Sequence, residues 1–326
     1  MGLPSSVADR VVVLGTGGTI AGTAARADQH VGYTAGALGA QALVDAVPAL
    51  AGGALEAVSV AQLDSSDMDH ATWLRLVEAV RQQLARPEVR GVVITHGTDT
   101  LEETAYLLHR VIDAAKPVVL TAAMRPATAL SPDGPQNLHD AVTLAREPGA
   151  RGVLAVLNGQ VHAGAELRKV HGYALAAFSS GDAGLLGLIE DGRWRAFRAW
   201  PAVALHPVAY ALSSADAWPV VDIVTSHAGA RAAVLPALVA AGAQGLVMAG
   251  TGNGSVHAEL QAAARLAVAQ GVRVLRASRC QLGGVVGGTA DGVDGHLPSA
   301  GVLTAPQARI ELMLDLMLPP HRGASA

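Results

Sequence analysis

One cysteine, Cys280, stands in 326 residues. No internal disulfide can form, and a reducing compartment is the simplest expectation. Charge is sparse too. Asp, Glu, Lys and Arg make up 15%, and the formal net charge is −4. Neither a basic excess nor a basic stripe is present, which excludes a dedicated nucleic-acid binder. The first ten residues lack a basic segment leading into an apolar run, so no signal peptide is expected. That reading places the chain in the cytoplasm, or in the periplasm if a leader was removed. The longest uncharged stretch lies between Arg231 and Glu259, but Pro236, Gly242 and Gly245 interrupt it. It reads as a helix, a turn and a strand rather than a membrane span. The 37 glycines have no three-residue period, so a collagen-like fibre is excluded.

What is present is a soluble core. Hydrophobic residues reach 51%, too many for a disordered chain. Short continuous Val/Ile/Leu runs predict strands at Val11–Leu14, Gly91–Thr95, Pro117–Thr121, Gly152–Leu157, Val220–Val224, Gly245–Ala249 and Val272–Leu275. Such runs mark strands covered on both faces. Amphipathic stretches predict helices at Ala37–Ala46, Ala71–Ala85, Leu101–Ala114, Asn137–Ala145, Arg231–Ala241, Ala258–Ala269 and Pro306–Leu318. The alternation implies an α/β protein of two domains. A larger N-terminal mixed or parallel sheet domain would span 1–200. A linker would follow at 201–219, within the proline-bearing lapse from Gly192 to Trp218. A smaller C-terminal parallel-sheet domain of about four strand–helix units would span 220–326.

Ligands in open α/β sheets bind beyond the carboxyl ends of strands. After the first strand comes Gly15–Gly22. Its register gives Gly15, Gly17 and then Ile20, so the third glycine of a dinucleotide fingerprint is missing, and no Gly-Lys-Ser/Thr makes it a phosphate loop. It presents two hydroxyls, Thr16 and Thr19. After Gly91–Thr95 come His96, Gly97, Thr98, Asp99 and Thr100. Thr100 with Glu103 predicts a capping box. No second ligand pair near His96 and Asp99 supports a metal. Ser65, Ser66 and Asp67 sit in a polar turn that could cap a helix or hold a ligand. Lys169 is either solvated or, if buried beside Arg168, a base of lowered pKa.

In order along the chain, these segments resemble the bacterial-type L-asparaginase family, closest to its type II motif pattern. The resemblance rests on Thr16–Gly22, Ile94–Tyr106, Ala123–Pro126, Asp133–Leu138, Gly252–Gly254 and Ala277–Arg279. It implies hydrolysis of L-asparagine to L-aspartate and ammonia, with L-glutamine secondary, no metal and no cofactor. It also implies a homotetramer built as a dimer of dimers, with neither nucleic-acid nor membrane partners. The nucleophile falls on Thr19 and a lid tyrosine on Tyr33, within a lid at Gly22–Gly39 expected to be mobile. Thr98, Asp99 and Lys169 complete the catalytic set. A threonine hydroxyl needs a base, and Tyr33 or Lys169 acting through Thr98 could serve. Substrate contacts fall on Ser65, Ser66, Thr98, Asp99, Ala123, Asn253, Ser255 and Asp291. The family often has glutamine at Ser66, asparagine at Ser255 and a glutamate in the segment that holds Asp291 and Asp294. A glutaminase-leaning enzyme and a non-catalytic amino-acid sensor of the same fold are the alternatives.

Overall fold

The run Val11, Val12, Val13, Leu14 is wholly buried. β-Branched side chains on both faces suit a strand packed between layers. That strand, β1 (Arg10–Gly17), sits inside an eight-stranded sheet. The computed structural model describes residues 9–212, 218–287 and 297–319. The chain divides into two compact units by its internal contacts. One runs to Leu205 and includes Leu212; the other comprises His206–Ala211 and the described residues from 218 on.

In the first unit, β1 is followed by α1 (Ala40–Asp45), β2 (Leu55–Leu63), α2 (His70–Leu84), β3 (Val89–Thr95) and α3 (Leu101–Val111). Then come β4 (Val118–Thr121), α4 (Gly134–Arg146), β5 (Val153–Leu157) and β6 (Gln160–Ala163). A two-residue pair, β7 (Arg168–Lys169) and β8 (Phe178–Ser179), stands apart, before β9 (Gly187–Glu190) and β10 (Arg193–Ala196). The sheet order is β10-β9-β6-β5-β4-β3-β1-β2. Pairing is parallel from β2 through β5 and antiparallel from β5 to β10. The sheet is therefore mixed. β1 leads outward to β2, and the chain then crosses to β3 on the other side of β1. This reversal creates a crevice at the carboxyl ends of β1 and β3.

The second unit holds β11 (Val221–Thr225), α5 (Val234–Ala240), β12 (Gly245–Gly250), α6 (Ala258–Ala269), β13 (Arg273–Ser278) and α7 (Ala305–Met317). Its sheet is parallel, in the order β11-β12-β13. Three strands stand among the described residues where about four units are expected. α7 opens on a Thr304–Gln307 capping box. No helix among the described residues is long and apolar enough to cross a membrane.

Candidate active site

Three loops meet at the β1/β3 crevice because glycine lets them. Gly17 and Gly18 have φ of +103° and +78°, a region that side chains disfavour. A Cβ on Gly18 would strike the backbone of Gly97, and one on Gly97 would strike the Ser65 side chain. The turns after β1 and β3 are thus packed backbone against backbone, and the Ser65 side chain of the turn after β2 lies against Gly97.

Thr19 opens a short 3-10 turn, Thr19–Ala21, and is buried. Its Oγ1 lies 2.5 Å from the Tyr33 hydroxyl. Tyr33 is delivered by the Gly22–Gly39 segment, which folds back through a Thr23–Thr34 bridge. Its ring lies against Gly22, where a Cβ would come within 2.8 Å of Cδ2. The Gly36 and Leu38 amides donate to the carbonyls of Gly18 and Ala21, and the amides of Ala127 and Leu130 donate to Gly22 and Ala27. The segment expected to be mobile is tied here at both margins. Burial pushes the Tyr33 phenol up, the Thr19 bond pulls it down, and the fields of Asp64 and Asp99 push it up further. Tyr33 is therefore a neutral phenol near pH 7. Thr16, the other hydroxyl of the turn, instead donates to the Thr95 carbonyl at 3.1 Å.

Lys169, on β7, reaches Thr98 and Asp99. Its Nζ donates to Thr98 Oγ1 at 2.9 Å and to Asp99 Oδ1 at 2.5 Å. The lysine side chain is 17% exposed and the aspartate 55%, so Lys169 is neither solvated surface nor fully desolvated. Ser65 is buried; its Oγ accepts from the Asp99 amide and its carbonyl accepts from Thr100 Oγ1 at 2.8 Å. The expected capping box is thus corrected: the Thr100 side chain makes no cap bond and ties two loops together. Nor does the Ser65–Asp67 turn cap α2. Asp69 does so, accepting from the Thr72 amide, while Asp64 caps the turn by accepting from Ser66 N. Ser66 itself is exposed.

His96 is fully buried. Its Nδ1 is 2.7 Å from the Gly97 carbonyl and its Nε2 2.9 Å from Thr104 Oγ1, which accepts from Trp73 Nε1. A carbonyl can only accept, so Nδ1 carries the proton and Nε2 accepts from Thr104. Burial pushes the imidazole down to about 4. Both nitrogens are spent inside the fold, so His96 braces the turn and has no lone pair for a metal. Among the described residues no group of three or more His, Cys, Asp or Glu side chains could hold one. The roles of Trp73 and Thr104 were not legible, because nothing local in the sequence links them to His96.

Ala123 is buried just beyond β4. Asp133 holds its loop, accepting from the amides of Met124 and Arg125, and Asn137 Nδ2 donates to the Ala122 carbonyl. The second unit uses Asn253 internally: its Nδ2 donates to the Val286 carbonyl and its Oδ1 accepts from the Val286 amide. Ser255 is exposed, with its main chain paired to Thr251. These contacts brace the exposed Asn253 amide at both its atoms. Asp291 and Asp294 lie outside the described residues.

The family models decide the ancestry. "Asparaginase, N-terminal" matches residues 10–202, and "Glutaminase/Asparaginase C-terminal domain" matches 220–319. The chain belongs to the asparaginase family. It is 36% identical to L-asparaginase 2 of Bacillus subtilis over 93% of this chain and 81% of that one. It is also 36% identical to the glutaminase-asparaginase of Pseudomonas fluorescens, over 85% of this chain and 77% of its relative. The crystal structure of a probable cytoplasmic L-asparaginase from Campylobacter jejuni superposes with a TM-score of 0.90 at 37% identity, covering 95% and 96% of the two chains. A two-domain α/β fold and amidohydrolase chemistry by a threonine nucleophile are the family's common ground.

Proposed function

We propose that this chain hydrolyses the side-chain amide of L-asparagine with Thr19 as nucleophile. The observation that carries this reading is the 2.5 Å contact between Thr19 Oγ1 and Tyr33 Oη, inside a buried turn at the sheet's switch point. The Thr19 oxygen attacks the amide carbon, and its proton passes through Tyr33 toward the leaving nitrogen. Ammonia departs, leaving an aspartyl ester on Thr19. A water oriented by Thr98 then attacks that ester, its proton is relayed to the departing Thr19 oxygen as aspartate is released, and the Lys169 ammonium, donating to Thr98 Oγ1, fixes the orientation of that hydroxyl. Main-chain N–H groups of the glycine-rich and His96–Thr98 turns would face the oxyanion. A neutral Tyr33 suits a relay that passes one proton on as it accepts another.

Asp99 would pair with the substrate α-ammonium, sharing its carboxylate with Lys169. Ser65 accepts from Asp99 N, and its hydroxyl proton is available for the α-carboxylate. Ser66, Ala123, Ser255 and Asp291 are assigned to substrate contact on the family resemblance. Asparagine is the better substrate in this reading, since one methylene in a snug pocket is worth about 1–3 kcal/mol. We infer a homotetramer of cytoplasmic location. Leu266, exposed on α6, lines an apolar groove with Pro236, Val239 and Ala263 and supports burial against another subunit. The cytoplasmic placement is supported by the likeness to the probable cytoplasmic enzyme of Campylobacter jejuni.

Ammonia release from L-asparagine, measured beside Thr19→Ala, tests the reading. Release should fall by at least ~1,000-fold in the variant while it stays folded. Undiminished release would assign the nucleophile elsewhere.

A further inference from the structure

β7 is only two residues long and pairs with β8, outside the eight-stranded sheet. A strand that short does not fix a side chain by itself. Yet Lys169 Nζ meets Thr98 and Asp99 at 2.9 and 2.5 Å. Something must hold its main chain. The Lys169 amide donates to Glu102 Oε2 at 2.6 Å.

Glu102 stands on the first turn of α3, which starts immediately after Asp99 and Thr100. Thr98, Asp99 and Glu102 therefore ride on one turn of backbone. They grip Lys169 at both ends, the ammonium by the first two and the main chain by the third. We propose that Glu102 is a positioning residue for the reaction: its carboxylate holds the Lys169 backbone and so sets where the Lys169 ammonium meets Thr98. This rests on the reading above, in which Lys169 acts through Thr98.

The surroundings agree. Burial pushes the Glu102 carboxyl up to about 7, the bond from the Lys169 amide pulls it down, the neighbouring Glu103 raises it, and Arg168 and Lys169 on β7 lower it. An acidic group placed only to favour a helix N-terminus would remain solvated. Glu102 is instead desolvated against the strand it holds.

The test is a double-mutant cycle on the intact protein. Turnover of L-asparagine is measured for wild type, Glu102→Ala, Lys169→Met and the double variant, with thermal midpoints alongside. Glu102→Ala should lower kcat by about 10- to 100-fold with KM changed less than ~3-fold, because misplacement costs turnover rather than binding. Glu102→Gln, whose amide oxygen still accepts from Lys169 N, should regain most of that loss. In the Lys169→Met background, Glu102→Ala should cost less than about twofold, since its route is gone. If Glu102→Ala costs the same factor in both backgrounds, or leaves kcat intact, Glu102 does not act through Lys169 and the proposal fails. Lys169→Met with wild-type turnover would instead sink the underlying role of Lys169, and the proposal with it. Should the alanine variant not fold, Glu102→Asp, one methylene short, takes its place in the same cycle.

Discussion

Two hydroxyls at 2.5 Å, that of buried Thr19 and that of half-buried Tyr33, stand fourteen positions apart in the chain. Their residue types were legible in the T-G-G-T and Gly32–Thr34 segments, but their contact was not, since a 14-residue loop has to fold back to make it. Removing the Tyr33 oxygen while keeping the ring isolates its part. Tyr33→Phe should lower kcat by about 100- to 10,000-fold, the range of a positioned proton relay. A loss below about tenfold in steady-state assays would take the first proton transfer away from Tyr33. The two deeply buried histidines make a second test. His96 and His162 are both pushed down to about 4 by burial, and His162 Nδ1 is paired with Ser180 Oγ at 2.8 Å. Neither imidazole should titrate above about pH 5.5 in NMR spectra of the folded protein. In the unfolded chain they protonate near 6.5. Between about 6.5 and 4 the unfolded state therefore binds more protons through these two groups, and their contribution to stability falls with falling pH. Glu102 acts in the opposite sense. It holds its proton up to about 7 in the fold, against 4.5 unfolded, so its contribution is lost as pH rises through that window. Observation of an imidazole titrating near 6.5 in either position would show that it is hydrated.

Elements differ sharply in how plainly the sequence announces them. β1, β3, β4 and β5 are continuous apolar runs and read as covered strands. β2, Leu-Glu-Ala-Val-Ser-Val-Ala-Gln-Leu, lies at the sheet edge with a mixed burial pattern, and its Ala, Ser and Gln obscured it. β6 through β10 are two to four residues long, too short for any periodicity to register. Lys169 sits on one of these, so its place beside Thr98 could not be read from spacing. The loop contacts at the crevice were equally hidden, because glycine names a possibility rather than a neighbour. Gly18 tests them. Its φ of +78° and its backbone contact with Gly97 mean that Gly18→Ala should cost at least ~3 kcal/mol through strain and overpacking. A thermal or denaturant melt checks this. A melt matching wild type would show that the turns after β1 and β3 have room between them.

At the scale of the whole molecule, the alternation of strands and helices announced two α/β units, and the contacts of the described residues divide into two compact units. The second unit's three described strands, β11, β12 and β13, coincide with the three apolar runs at Val220–Val224, Gly245–Ala249 and Val272–Leu275. Substrate preference is read at this scale, on the whole enzyme. The ratio of kcat/KM for L-asparagine over L-glutamine should exceed about 10, the worth of one misfitted methylene; a ratio favouring glutamine would overturn the assignment. Four 33.0 kDa chains should sediment as one tetramer, and a monodisperse active monomer would contradict the assembly. The most direct measurement is mass spectrometry of the enzyme quenched in acid during turnover of L-asparagine. The account predicts a peptide containing Thr19 heavier by one aspartyl group, and no such peptide from Thr19→Ala. An aspartyl group found on another residue, or full turnover by Thr19→Ala, would contradict it.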